Sequence, residues 1–159
     1  IELGYEAFHA IILGSEQGRN LYKKKLVRLI EQFRLNKQIK FIDQCKDMAL
    51  AYQVSDIVVS ASIEPEAFGR VAVEAQSMEK LIIASNIGGS NETIINEKTG
   101  LLFDSGNAHS LSQKIIKGIT MDERSIKLLG EEGRKNVKKK FNVEKMCFST
   151  YSEYKKLIN

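Results

Sequence analysis

Proline, cysteine, histidine and tryptophan are all scarce in this 159-residue chain, which holds one Pro, two Cys, two His and no Trp. One proline excludes a proline-rich disordered segment, and 11 glycines without a repeat exclude a collagen-like helix. Cys45 and Cys147 are far apart, form no Cys-x-x-Cys and have too few histidines near them for a zinc site. A reducing, cytoplasmic setting is therefore the simpler expectation. A chain of this length buries roughly 68–70% of its unfolded surface, enough to do without a disulfide or metal staple. No apolar run approaches the ~20 residues of a membrane span. No signal peptide opens the chain. Its start, Ile-Glu-Leu-Gly without Met, reads as a piece of something longer.

What is present is an ordinary globular mixture, 43% hydrophobic and 28% charged, with a net charge of +4. The positive charge is spread out, with local runs at Lys23–Lys25 and Lys138–Lys140 among glutamates. These runs read as solvated helix faces, with a membrane-surface or nucleotide-attracting face as the alternative. No sheet motif with interleaved aromatics and no zinc-finger spacing occurs, so a nucleic-acid partner is not expected.

Short apolar runs alternate with amphipathic stretches. His9–Gly14, Gln38–Ile42, Asp56–Ser60, Leu81–Ala84 and Gly100–Phe103 read as strands. Helices are expected over Leu21–Leu35, Asp47–Val54 (with Asp47 as N-cap), Gly69–Met78 and Gly88–Asn96. From Asn107 the chain reads as three helical pieces, broken near Gly118–Asp122 and Phe141–Val143, the last helix covering 143–157. Strands alternating with helices predict an α/β, Rossmann-like, doubly wound parallel sheet with helices on both faces and a helical C-terminal tail. One domain over 1–159 suffices. Ligands of such folds bind where strands end, so the residues after each strand are the candidates.

After the first strand, Gly14-Ser15 and Gly18 precede a helix, but the spacing fits neither the dinucleotide fingerprint nor a P-loop. After the third strand comes Ser-Ala-Ser-Ile-Glu-Pro65-Glu66-Ala67-Phe68-Gly69-Arg70-Val71-Ala-Val-Glu74. The only proline stiffens the loop ahead of Glu66, and Gly69 stands at the helix start. The N–H groups around Phe68 to Val71 have no acceptor within the helix and favour anionic or hydroxyl oxygens. Glu74 lies among Val71, Ala72, Val73, Ala75 and Met78, so its helix reads as largely buried. A carboxylate there costs several kcal/mol unless it is paired. Two jobs fit it: pairing with a buried cation, or accepting hydrogen bonds from ligand hydroxyls. After the fourth strand, Gly88-Gly89 precede another helix, with Glu92 in its first turn to offset the dipole.

Together these residues resemble the donor-binding half of glycosyltransferase family 4, a retaining, nucleotide-sugar-dependent family with the GT-B fold. Glu66 and Glu74 match its Glu-x7-Glu motif within Pro-Glu-Ala-Phe-Gly-Arg-Val-Ala-Val-Glu-Ala. The order of motifs matches too: Ile-Leu-Gly, Tyr52-Gln-Val-Ser-Asp-Ile-Val-Val-Ser60, Ile-Ala-Ser-Asn-Ile-Gly-Gly-x-x-Glu, and Thr-Gly-Leu-Leu-Phe. The resemblance runs from about residue 9 to 118. It implies that Glu66 holds a hydroxyl of the donor sugar and acts in catalysis. It further implies that the backbone of Ala67, Phe68, Gly69, Arg70 and Val71 contacts sugar or diphosphate, and that Glu74 holds the ribose hydroxyls. Gly14, Ser15 and Gln44 would flank the base, although Gln44 stands where the family often has glycine.

The resemblance also implies hexosyl transfer to a glycan or lipid-linked acceptor, as in envelope polysaccharide or lipopolysaccharide synthesis, with no metal and no cofactor. Such an enzyme is cytoplasmic, in some cases peripheral to the inner face of the membrane. The family's diphosphate-neutralising Arg and Lys and its N-terminal acceptor domain are not in this chain, and Ile1–Gly4 read as the tail of a preceding helix. The chain alone is therefore expected to bind weakly and to be inactive. The alternatives are a nucleotide-sugar epimerase and a non-catalytic nucleotide-binding Rossmann-like domain.

Overall fold

A computed structural model describes residues 8–16, 18 and 20–158. The reading of Ile1–Gly4 lies outside the described residues. The chain forms two compact units that meet between Met48 and Ala49, and each is taken by itself.

In the first unit, β1 (Ala10–Leu13) pairs in parallel with β2 (Ile39–Ile42), with Ala10 opposite Ile39 and Leu13 opposite Ile42. Between them runs α1 (Asn20–Gln32), which buries Ile30. Lys23 of α1 donates to Asp43 Oδ1 at 3.0 Å, just after β2, and lies 3.7 Å from Glu16. The Asp43 hydrogen bond holds the Lys23 ammonium above its ordinary pKa. The lysine run is thus one anchored residue beside solvated neighbours.

The second unit carries α2 (Met48–Gln53), whose first residue follows Asp47 and ends the first unit. Its sheet has the order β3 (Ile57–Ser60), β4 (Leu81–Ser85), β5 (Leu101–Phe103), all parallel. Every residue of central β4 is buried, because both faces are covered. Ile82 and Ala84 pack on one face with Tyr52 of α2 and with Ala72 and Ala75 of α3 (Arg70–Ser77). Leu81 and Ile83 point the other way, against Leu111 and Ile115 of α5 (Ala108–Thr120) and Ile126 and Leu129 of α6 (Glu123–Lys140). This is an α/β fold of parallel strands flanked by helices, and it ends in a helical tail, α7 (Val143–Ile158).

Helix starts follow local chemistry. Asn107 caps α5 by accepting from the Ser110 N–H, and Asp122 caps α6 by accepting from that of Ser125. The Ser125 hydroxyl and amide hold the Asp122 carboxyl below its ordinary pKa. Helix α4 is shorter than the sequence suggests, Ser90–Thr93 rather than Gly88–Asn96. Ile94 turns extended, and Thr99 and Asn96 side chains then take the N–H groups of Ile95 and Leu102. The Thr99 hydroxyl thereby takes an N–H that the longer helix would have used, and so helps to stop it.

Helix α6 lies directly on the turn between α3 and β4. A Cβ at Gly130 would stand 2.2 Å from the Glu79 carbonyl oxygen, so no larger residue fits without moving backbone. Gly130→Ala is expected to destabilise the chain by about 1–3 kcal/mol. Asn107→Ala, which loses a cap without a clash, should cost about 1 kcal/mol. Calorimetry checks the ranking, at roughly 2–4 °C of Tm per kcal/mol. A Gly130→Ala protein as stable as wild type would contradict the close approach.

Candidate functional site

The loop after β3 leads through Ser62 and Pro65 to Glu66 and then into α3 at Gly69. Gly69 adopts a left-handed conformation (φ 74°, ψ 56°) that turns the chain into the helix. Among the described residues no backbone carbonyl takes the N–H groups of Arg70 and Val71, and the ladder begins with Ala72 N–H on the Gly69 carbonyl. The end of α3 therefore presents free donors and its positive dipole end beside Glu66.

Three contacts position this loop. The Gly89 N–H donates to the Glu66 carbonyl at 2.8 Å. The Phe68 ring meets Phe141, at the end of α6, edge to face with centroids 5.5 Å apart. The Ser62 hydroxyl donates to Glu66 Oε1. The paired glycines flagged in the sequence pack directly against this loop. A Cβ at Gly88 would stand 2.7 Å from the Glu66 carbonyl oxygen, and one at Gly89 would stand 2.5 Å from the Phe68 carbonyl carbon. They form a seam along which the loop's backbone lies. Glu66 is half-buried, and its second oxygen meets no protein donor among the described residues.

The seam is tied into the core. The Thr93 hydroxyl donates to the Gly89 carbonyl at 2.9 Å. The Thr93 carbonyl, orphaned where α4 ends, takes the amide groups of Gln76 and Asn136, each at 3.1 Å. These two buried amides join α3 and α6 at one point. Sequence reasoning missed them; the available signal was an amide on an otherwise apolar helix face.

Glu74 is less buried than its apolar neighbours suggest. Helix α3 buries Ala72, Ala75 and Gln76, and the Glu74 side chain, beside that stripe, keeps 35% exposure. Its Oε2 accepts from the Tyr52 hydroxyl at 2.9 Å. Its Oε1 accepts from Arg70, at 2.9 Å from a terminal guanidinium nitrogen and 3.2 Å from Nε. The cation at Glu74 is thus an exposed residue one turn back, not a buried partner, and a phenol supplies the other bond. Burial, then the bond to Glu74, pushes the Tyr52 hydroxyl well above the ordinary tyrosine range.

Glu66, Ala67, Phe68, Gly69, Arg70, Val71 and Glu74 all lie in the second unit. Gly14, Ser15 and Gln44 belong to the first. There the Gly14 N–H donates to the Ile42 carbonyl at 2.9 Å, which sets the loops after β1 and β2 side by side. Gly14, Ser15 and Gln44 are all exposed. Among the described residues no cluster of three or more His, Cys, Asp or Glu side chains is placed to hold a metal ion, and no helix is long and apolar enough to cross a membrane.

These features define the chain as a parallel α/β domain of Rossmann-like fold, and comparison with known proteins gives its family. The model of the glycosyl transferases group 1 family matches residues 4–136, and this chain belongs to that family. Staphylococcus aureus CapM, a capsular polysaccharide biosynthesis glycosyltransferase, is 33% identical over 110 residues, 64% of this chain and 29% of CapM. A crystal structure of a glycosyltransferase from Rickettsia africae superposes with a TM-score of 0.93 at 34% identity, over 99% of this chain and 42% of that one. Anabaena HepE, solved in complex with UDP-glucose, gives a TM-score of 0.87 at 25% identity, over 94% of this chain and 42% of HepE. The chain thus spans under half the length of these relatives.

The Tyr52 geometry has a measurable consequence. A tyrosine whose folded pKa lies above its unfolded value contributes stability that is fully present below about pH 10 and is lost as pH rises further. In an absorbance titration of the folded protein, Tyr52→Phe should leave the step near pH 10 unchanged, because Tyr52 does not ionise there. Loss of one tyrosine's share of that step would contradict the buried bond to Glu74.

Proposed function

We propose that this chain is the C-terminal, donor-binding half of a glycosyltransferase family 4 enzyme of the GT-B fold, which transfers a hexose from a nucleotide-diphosphate sugar with retention. The observation that supports the reading is the pair of free N–H groups at the start of α3, with Glu66 in the loop just before it and Glu74 in its second turn. The UDP-glucose complex of HepE, a protein of like fold, supports a nucleotide-sugar donor.

In this reading Glu66 accepts from a hydroxyl of the donor sugar through the oxygen that Ser62 leaves open. The backbone N–H groups between Ala67 and Val71, with the helix dipole, stabilise the negative charge that develops as the bond from the anomeric carbon to the diphosphate breaks. A new bond forms to the acceptor oxygen, whose proton passes to the departing diphosphate, and a nucleoside diphosphate leaves. Glu74 accepts from the ribose hydroxyls. The reaction runs without metal or cofactor. The acceptor is a glycan or a lipid-linked glycan of envelope polysaccharide or lipopolysaccharide synthesis. The enzyme works in the cytoplasm, in part at the inner face of the membrane.

Each charge-assisted hydrogen bond is worth about 1.5–3 kcal/mol, or roughly 10- to 150-fold. In the full-length protein, Glu66→Ala should lower kcat by about that factor. Glu74→Ala should instead raise KM for the donor and abolish the ligand-observed NMR signal of whichever UDP, GDP or ADP sugar binds. Wild-type turnover in Glu66→Ala would refute the sugar-binding role, and unchanged donor binding in Glu74→Ala would refute the ribose role.

A further inference from the structure

Both oxygens of Glu74 are engaged within the chain. Oε1 takes two N–H groups of Arg70, at 2.9 and 3.2 Å, and Oε2 takes the Tyr52 hydroxyl at 2.9 Å. A carboxylate offers about four lone-pair positions, two on each oxygen. Three are therefore filled, and one remains on Oε2. A vicinal diol brings two O–H donors, so one resident donor has to leave.

The two resident partners differ sharply. Tyr52 is 6% exposed and packs in the core with Ala72, Ala75 and Ile82. Its hydroxyl donates to Glu74, and without that bond a buried donor would be orphaned, an expensive state. Arg70 heads α3 with its side chain 83% exposed. Its bond to Glu74 is a solvent-screened i,i+4 pair, and water replaces it at little cost. The backbone at Arg70 is fixed by the left-handed Gly69 ahead of it, so the exchange needs only rotation of an exposed side chain.

We infer that Arg70 is an exchangeable latch on Glu74: the ligand's diol displaces the guanidinium from Oε1, while Tyr52 stays bound to Oε2 and holds the carboxylate in place. Tyr52 is then a positioning residue, and Arg70 a competitor that the ligand expels. The inference rests on the reading of Glu74 as the acceptor for ribose hydroxyls. Its consequence is unusual in sign, since removing a cation from the site strengthens binding of a neutral diol.

The test uses nucleosides, which carry no phosphate for Arg70 to attract. Uridine, guanosine and adenosine, each with its 2′,3′-dideoxy counterpart, are titrated into the full-length wild-type and Arg70→Gln proteins by ligand-observed NMR. The ribonucleoside that binds should do so about two- to fivefold tighter in Arg70→Gln, the range of an exposed ion pair. Its dideoxy counterpart should bind both proteins equally. Raising salt should narrow the difference between the two proteins by weakening the wild-type pair. Equal or weaker ribonucleoside binding in Arg70→Gln overturns the latch and leaves the ribose role of Glu74 intact. Equal binding of ribo- and dideoxy-nucleosides to wild type, or binding of neither, overturns the ribose role and the latch with it.

Discussion

The acidic loop of this protein keeps its shape because two backbones touch without side chains between them. Gly88 and Gly89 lie flat against Pro65–Phe68, and no Cβ fits at either position. The contact lets the Gly89 N–H reach the Glu66 carbonyl. It also depends on what stands behind it. Thr93 ties Gly89 to the end of α4, and Gln76 and Asn136 tie that end to α3 and α6. Three helices and the Glu66 loop therefore share one buried polar junction. The Gln76 and Asn136 amide donors are both paired there, while Gln76 Oε1 is buried without a protein partner among the described residues.

The electrostatics of the site follow from that frame. Glu66 and Glu74 are held by different means, one by a serine in its own loop and one by a phenol from α2. Neither is locked by a deeply buried ion pair, which would cost more to open than a ligand returns. Each retains some capacity to accept: Glu66 through an oxygen without a protein donor, Glu74 through an exposed partner that water can replace.

Much of this was legible in the sequence. The alternation of apolar runs and amphipathic stretches located all five strands to within a residue or two, because both faces of β4 are covered and its run is unbroken. Gly69 reads as a helix start in the sequence, and it stands directly before α3. Three things were less legible, each because it depends on tertiary contact. The end of α4 is set in part by Thr99, whose hydroxyl accepts from the Ile95 N–H that the longer helix would have needed. The exposure of Glu74 depends on which side of α3 meets the sheet, and an apolar composition on all sides hides that. The pairing of Tyr52 with Glu74 joins residues 22 positions apart, and only packing of α2 against α3 reveals it.

The central claim is that the glycine seam positions Glu66. The most direct measurement is amide hydrogen exchange on Gly89→Ala beside wild type. The account predicts that the amide at position 89 and those of the Glu66–Gly69 loop lose protection, while the amides of β4 and β5 keep theirs. Retained protection at position 89 with an unchanged loop would contradict it.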